Sequence, residues 1–74
     1  MKKLQLKIYG IHDCNRFAQK ARLVDGDVTI TRGKYCLDGK SILGIFSIDT
    51  SQGFTVEYPE DAKDFEDFIM QFVE

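Results

Sequence analysis

The spacing of the apolar residues changes several times along this chain, and that change limits the possible folds more than any other feature. Leu4, Leu6 and Ile8 occupy every second position, as in a strand with one buried face. From about Asp13 the apolar residues are three or four positions apart, as in an amphipathic helix that Asp13 caps and Gly26 ends. The helical stripe consists of Cys14, Phe17, Ala18, Ala21 and Val24.

The middle of the chain repeats both patterns. Alternating residues at 27–31 and 34–37 predict two strands joined as a hairpin. The apolar run 42–48 is interrupted by Gly44, which a strand tolerates poorly. We therefore predict a short helix here, with Ser41 as its cap.

The end of the chain predicts a fourth strand at 54–58 and a last helix that begins at Pro59. This helix is predicted to bury Ala62, Phe65, Ile69 and Phe72. The resulting order is β-α-β-β-α-β-α. Helices on one face of a four-stranded, mostly antiparallel sheet bury the apolar sides of both layers, so the predicted fold class is α+β, an open-faced two-layer sandwich.

The size and composition predict one domain, residues 1–74, with a thin core. With 43% apolar and 30% charged residues, the chain is neither a disordered tail nor a multidomain enzyme. Its net charge of −2 gives no overall preference for nucleic acid or for an anionic membrane. Residues 1–40 carry a net +5 and residues 41–74 a net −7, which suits a partner on the basic half but is also explained by two solvated helices of opposite charge.

The start of the chain alternates charged with apolar residues, so it does not resemble a signal peptide, and no apolar run is long enough to span a membrane. We therefore expect a cytoplasmic protein in which Cys14 and Cys36 are free thiols. Two thiols at this spacing do not predict a zinc site. We expect neither a metal nor a cofactor.

Few residues are candidates for chemistry. The Gly-Lys-Ser sequence at 39–41 is not a phosphate-binding loop, because Lys34 stands where that motif needs glycine. His12 is the single imidazole, and exposed N–H groups at a helix start would favour a phosphohistidine there. The alternative is a loop histidine without a chemical role, since Asp13 would repel a phosphate. Cys14 continues the apolar stripe, so we predict a packed thiol rather than a reactive one.

Ser41 is open to two interpretations. A hydroxyl at a helix N-cap accepts a hydrogen bond from a backbone N–H, and a phosphate in its place would gain from the same donors. The five apolar residues that follow exceed what one face of a short helix can bury: Ile42, Leu43, Ile45, Phe46 and Ile48. Some must stay exposed beside the serine, which suggests a docking surface. A buried Ser41, or Leu43 and Phe46 both in the core, would exclude this hypothesis.

The segment 39–48, Gly-Lys-Ser-Ile-Leu-Gly-Ile-Phe-Ser-Ile, resembles the serine-phosphorylation segment of the histidine-containing phosphocarrier (HPr) proteins of the bacterial sugar phosphotransferase system. A second stretch, 17–21, is similar to the first helix of that family, and Val24, Asp27 and Val28 match the residues that lead into its second strand. The resemblance covers nearly the whole chain, and the element order of the family is the one predicted above.

The resemblance also implies a loss. Counting back from Phe17, the phosphorylated histidine of the family falls on Gly10, its arginine on His12 and its proline on Asp13. The His-x-Arg-Pro signature is therefore absent. Glycine accepts no phosphate, and the guanidinium that would stabilise a phosphohistidine is missing.

The segment that resembles the family's serine-phosphorylation site remains. By resemblance, Ser41 is the acceptor for an HPr-type serine kinase that uses ATP, and the modified protein assists a LacI-type transcription factor in catabolite repression. The residues that the resemblance assigns to partner binding are Ile42, Leu43 and Phe46 on the short helix, and Ile11 and Asn15 beside the lost histidine. Basic side chains near this apolar patch, such as Arg16 and Lys20, suit an acidic partner.

Three functions follow. The first is a non-catalytic regulatory or adaptor protein that accepts phosphate on Ser41. The second is a phosphocarrier intermediate in sugar uptake, in which His12 takes the phosphate and Arg16 is its partner. The third is a plain interaction domain in which Ser41 is only a helix cap.

Overall fold

The computed structural model describes residues 1–73, and there it contains four strands and three α-helices in the predicted order. The strands are β1 (Lys2–Leu6), β2 (Thr29–Arg32), β3 (Tyr35–Asp38) and β4 (Phe54–Tyr58), and the helices are α1 (Ile11–Arg22), α2 (Ile42–Phe46) and α3 (Lys63–Ile69). Short 3₁₀ turns span Thr50–Gln52 and Met70–Phe72. Glu74, the last residue of the predicted domain 1–74, lies outside the described residues. Within 1–73, every helix is too short or too polar to cross a membrane.

The strands form one antiparallel sheet in the order β1-β4-β2-β3. The register places Leu4 opposite Val56, Val56 opposite Ile30, and Ile30 opposite Leu37. Because side chains alternate between the two faces of a strand, this register produces one apolar row across the whole sheet. Every second residue of β4 is buried, which defines the inner face.

Phe17 of α1 lies at the centre of the core and is fully buried. Its ring packs edge-on against the ring of Phe54 on β4, with 5.9 Å between the ring centres, and against that of Phe65 on α3, with 5.6 Å between the centres. The centres of the Phe65 and Tyr58 rings are 5.7 Å apart. Both helices therefore pack on the inner face of the sheet, and the predicted α+β open-faced sandwich is confirmed.

The predicted ends of the first helix are wrong. Gly10, with φ of 89°, is the residue before α1, and no side chain caps the helix. The positive φ, which glycine adopts at little cost, lets the helix begin at Ile11. Asp13 is therefore not a cap but a member of the first turn, where its charge is favourable to the helix dipole. The helix ends at Arg22, before the predicted stop at Gly26.

Other boundaries also differ from the prediction, by one or two residues in β2, β3 and α2 and by more in the last helix. The last helix begins at Lys63 instead of Pro59, because the Ala62 amide donates to the Pro59 carbonyl at 3.1 Å and closes a turn. The first strand ends at Leu6, so Ile8 lies beyond it. Ile8 is nevertheless fully buried, as its place in the apolar alternation predicts.

Thr50 attaches the segment after β1 to the core. Its hydroxyl donates to the Ile8 carbonyl at 2.8 Å, and the Ile8 amide donates to the Thr50 carbonyl at 3.1 Å. A threonine hydroxyl has a single hydrogen, so Cys14, whose sulfur lies 3.5 Å from the Thr50 oxygen, is the donor in that contact. Cys14 is 4% exposed, which confirms the predicted packed thiol.

We expect Thr50→Val to lower the free energy of unfolding by about 1–3 kcal/mol, because an apolar side chain of the same shape leaves buried polar partners on Ile8 and Cys14 unsatisfied. Thr50→Ser keeps the hydroxyl and removes one methyl group, so its loss should be limited to about 0.8 kcal/mol. Urea unfolding followed by circular dichroism measures both variants. Equal stability of Thr50→Val and the unmutated chain would contradict this assignment.

A second polar group connects β1, β4 and α3. The Tyr58 hydroxyl donates to Glu66 Oε2 at 2.6 Å, and the Lys2 ammonium donates to the same oxygen at 2.9 Å. The hydrogen bond from Tyr58, and then the one from Lys2, holds the pKa of the Glu66 carboxyl below its ordinary value. Burial, and then the hydrogen bond to Glu66, raises the pKa of the Tyr58 hydroxyl.

The lowered pKa of Glu66 makes stability depend on pH. Its contribution is complete above the ordinary glutamate value of 4.5 and is lost as the pH falls through the lower pKa of the folded state. We therefore expect the unmutated chain to lose more stability than Glu66→Gln between about pH 5 and pH 2. Urea midpoints measured across that range provide the comparison. Parallel pH profiles for the two proteins would contradict the expectation.

Candidate functional site

The loop between β3 and α2 packs directly on the residue before β2. The Gly39 amide donates to the Val28 carbonyl at 2.7 Å, and Gly39 is buried. A Cβ atom at Gly39 would lie 2.6 Å from Val28 Cγ1 and 3.0 Å from its carbonyl oxygen. Only glycine allows this approach, which fixes the position of the two residues that follow.

Two hydrogen bonds join this loop to the end of α1, and we call the region the α1–α2 junction: Arg22, Val24, Gly39, Lys40 and Ser41. The Arg22 Nε donates to the Lys40 carbonyl at 3.0 Å. The Lys40 ammonium donates in the opposite direction, to the Val24 carbonyl at 2.9 Å. Both bonds have a charged donor, and such bonds are stronger than neutral ones.

Ser41 caps α2, as the sequence predicts. Its Oγ accepts from the Gly44 amide at 3.2 Å, and its own amide donates to the Asp38 carbonyl at 3.1 Å. The residue is half-buried, so its side chain is not sealed inside the molecule. The junction therefore presents a serine of fixed conformation at the surface.

The helix that Ser41 caps is only partly buried. Ile45 is fully buried, and Ile42 and Ile48 pack against the core, so they contribute less to an exposed patch. In contrast, Leu43 is 79% exposed and Phe46 is 45% exposed. These two side chains lie just after Ser41 and remain largely outside the hydrophobic core.

Helix α2 runs antiparallel to α1. The residue before its cap, Lys40, is bound by Arg22 at the C-terminal end of α1. Thr50, four residues after α2, contacts Cys14 near the N-terminal end of α1. Phe46, the last residue of α2, therefore lies toward the N-terminal end of α1, where Ile11 is found. Ile11 is 69% exposed. We call Ile11, Leu43 and Phe46 the docking face.

The candidate residues on α1 have separate surroundings. Arg16 Nη1 lies 3.3 Å from the Asp13 carboxylate, and the Arg16 guanidinium carbon lies 5.3 Å from the centre of the Phe68 ring. The Lys20 ammonium lies 5.9 Å from the same ring. His12 is exposed on the first turn of α1. The Arg16 guanidinium therefore contacts both a carboxylate and an aromatic ring.

Asn15 is also exposed on α1. No group of three or more His, Cys, Asp or Glu side chains within residues 1–73 is arranged to hold a metal ion.

The sequence does not predict the hydrogen bonds that Arg22 and Lys40 donate to backbone carbonyls. Nor does it predict the contact of the Phe68 ring with Arg16 and Lys20. The nearest sequence signal is the Gly-Lys-Ser stretch at 39–41, which begins the segment that resembles the HPr serine-phosphorylation segment.

The contact of Gly39 with Val28 leads to a matched pair of substitutions. We expect Gly39→Ala to lower the free energy of unfolding by about 1–3 kcal/mol, because the added methyl overlaps Val28. Gly44→Ala places its methyl no closer than 3.4 Å to another atom, and it lies inside a helix. It should be neutral or stabilise by up to about 1 kcal/mol. Thermal unfolding of the two variants tests this, and equal effects would contradict the stated role of Gly39.

Three solved structures share this fold. HPr-C-His from Thermoanaerobacter tengcongensis is 23% identical, with a TM-score of 0.76 over 96% of this chain and 93% of that one. The histidine-containing phosphocarrier protein of Mycoplasma is 20% identical, with a TM-score of 0.74 over 95% and 89%. The phosphocarrier protein HPr of Bacillus anthracis is 26% identical, with a TM-score of 0.67 over 99% and 94%.

The sequence itself matches no protein-family model and no curated protein. The likeness is therefore in three-dimensional structure, and it extends over almost the full length of all three neighbours. The element order, the sheet and the helix with Ser41 at its start agree with the resemblance found in the sequence. The chain therefore has an HPr-like fold, that of the histidine-containing phosphocarriers.

Proposed function

We propose that this chain is a non-catalytic HPr-like regulatory or adaptor protein that accepts a phosphate on Ser41 and binds a protein partner through the docking face. One observation carries the proposal: Leu43 and Phe46 stay exposed on the helix that Ser41 caps. Two of the solved structures of similar fold are named as phosphocarrier proteins, which supports phosphate chemistry in general.

The exposure of the docking face supports a binding role. A side chain such as Leu43 gains little stability in water, and clusters of exposed apolar residues mark interaction sites in soluble proteins. Apolar side chains at the centre of an interface also contribute most when they are desolvated by the partner. The short helix then has two functions: Ile45 anchors it in the core, and Leu43 and Phe46 remain for the partner.

Basic side chains on α1 suit an acidic partner. Arg16 and Lys20 are held over Phe68 of α3, so their charge lies on the α3 side of α1. Complementary charge raises association rates and excludes partners of the wrong sign. By resemblance, the partners are an HPr-type serine kinase and a LacI-type transcription factor, and the site of action is the cytoplasm. No direct contact with nucleic acid or with a membrane is part of the proposal.

Phosphate transfer through His12 is the alternative. It would require Arg16 to exchange its exposed ion pair with Asp13, 3.3 Å away, for the phosphohistidine. The Asp13 carboxylate would also lie one residue from the phosphate and repel it. These contacts support a regulatory role over a carrier role.

We expect an HPr-type serine kinase with ATP to add one phosphoryl group to the chain, on Ser41. Leu43→Ser should lower the rate of this phosphorylation, since it removes part of the docking face while leaving the core intact. Ser47→Ala is the control for a neighbouring hydroxyl and should be modified normally. Intact mass and peptide mapping give both the rate and the site.

Two results would overturn the proposal. An acid-labile phosphoryl group, formed with phosphoenolpyruvate and the upstream phosphotransferase enzyme and lost in His12→Ala, would identify a phosphocarrier. An unmodified Ser41, under conditions that label a genuine HPr, would leave a plain interaction domain in which the serine is only a cap.

A further inference from the structure

The two cations of the α1–α2 junction bind carbonyl groups rather than carboxylates. Arg22 donates to the carbonyl of Lys40, and Lys40 donates to that of Val24. Within residues 1–73 neither side chain forms an ion pair. Two positive charges therefore lie at the start of α2. The Asp38 carboxylate accepts from the Lys40 backbone amide at 2.9 Å, and no acid within residues 1–73 forms an ion pair with either cation.

Arg22 and Lys40 differ in what they have left to donate. The Lys40 ammonium is directed at Val24 in a part-buried contact. Arg22 is exposed and uses only its Nε, whereas a guanidinium has five N–H donors. Its two terminal nitrogens, Nη1 and Nη2, form no hydrogen bond within residues 1–73.

The position of Arg22 relative to Ser41 is fixed by that same bond. The Lys40 carbonyl belongs to the peptide group that joins Lys40 to Ser41, and the Arg22 Nε is 3.0 Å from it. The guanidinium is therefore held against the backbone next to Ser41 with its unused donors available. A planar fork of this kind matches the oxygens of a phosphate.

We infer that Arg22 is the internal ligand of a phosphate on Ser41: its Nη groups donate to the phosphate oxygens while its Nε stays on the Lys40 carbonyl. This inference rests on the proposed function only in that Ser41 is the modified residue. The ligand is a phosphomonoester dianion carried by the chain itself. Lys40 keeps its bond to Val24 and adds positive charge at longer range.

The bond would change what phosphorylation does to the molecule. A phosphate held by Arg22 links the start of α2 more firmly to the end of α1, so the α1–α2 junction becomes tighter. The docking face keeps its shape and gains a fixed negative charge at its edge. A partner would then detect the charge and not a rearranged helix.

Chemical synthesis of the 74-residue chain with phosphoserine at position 41 allows a direct test. We expect ³¹P NMR titration to place the second phosphate ionisation about 0.5 to 1 pH unit below its ordinary value near 6, because a fixed cation favours the dianion. Arg22→Gln should remove most of that shift. Lys34→Gln, which deletes a cation at the other end of β3, should leave it unchanged.

Two outcomes would overturn the inference: an equal phosphate titration with and without the Arg22 guanidinium, or a larger effect of Lys40→Gln than of Arg22→Gln. If Arg22→Gln fails to fold, ¹⁵N labelling of Arg22 in the phosphorylated chain provides a second measurement. Its Nη hydrogens should then be protected from exchange, and only after phosphorylation. Unprotected Nη hydrogens would overturn the inference as well.

The synthesis separates this inference from the proposed function. Since no kinase is used, a failure of kinase labelling refutes the proposed modification and leaves the titration valid. An unshifted titration refutes the role of Arg22 and leaves the labelling result intact.

Discussion

The edge-on contacts of Phe17 are the interaction on which the rest of the molecule depends. One ring on α1 touches Phe54 of the sheet and Phe65 of α3, so a single side chain joins both layers and two of the helices. Each such aromatic pair adds about 0.5–1.5 kcal/mol beyond the area it buries. In a chain of 74 residues, whose core is thin, this contact fixes the orientation of α1. The positions of Ile11, at the start of α1, and Arg22, at its end, follow from that orientation.

The candidate site depends on α1 in a second way. The end of α1 and the loop before α2 are joined by the hydrogen bonds of Arg22 and Lys40, and Gly39 lies too close to Val28 to carry a side chain without a shift. The α1–α2 junction is therefore made of backbone groups and cations, and the apolar docking face adjoins it. A surface held in this way suits recognition by a protein, because it requires little ordering when a partner binds.

The spacing of apolar residues was sufficient to predict the element order, the inner face of the sheet and the burial of Phe17. It failed at the helix starts: Asp13 and Pro59 are residue types that often begin a helix, but α1 and α3 begin about one turn away from them. There, the positive φ of Gly10 and a local turn decided the outcome. Ser41 could be predicted as a cap because capping is local. The hydrogen bond from Arg22 to the Lys40 carbonyl could not, since it joins residues 18 positions apart through a backbone group, which leaves no pattern in a sequence.

The two cysteines occupy opposite environments, and this difference has a practical consequence. Cys14 is enclosed in the core and gives its hydrogen to Thr50, whereas Cys36 is exposed on β3. The register places Leu37 on the inner face, so Cys36 points away from the helices. A maleimide fluorophore would therefore attach at one position, on the side of the sheet opposite to the docking face. The native chain thus provides a labelling handle for binding assays without any engineered residue.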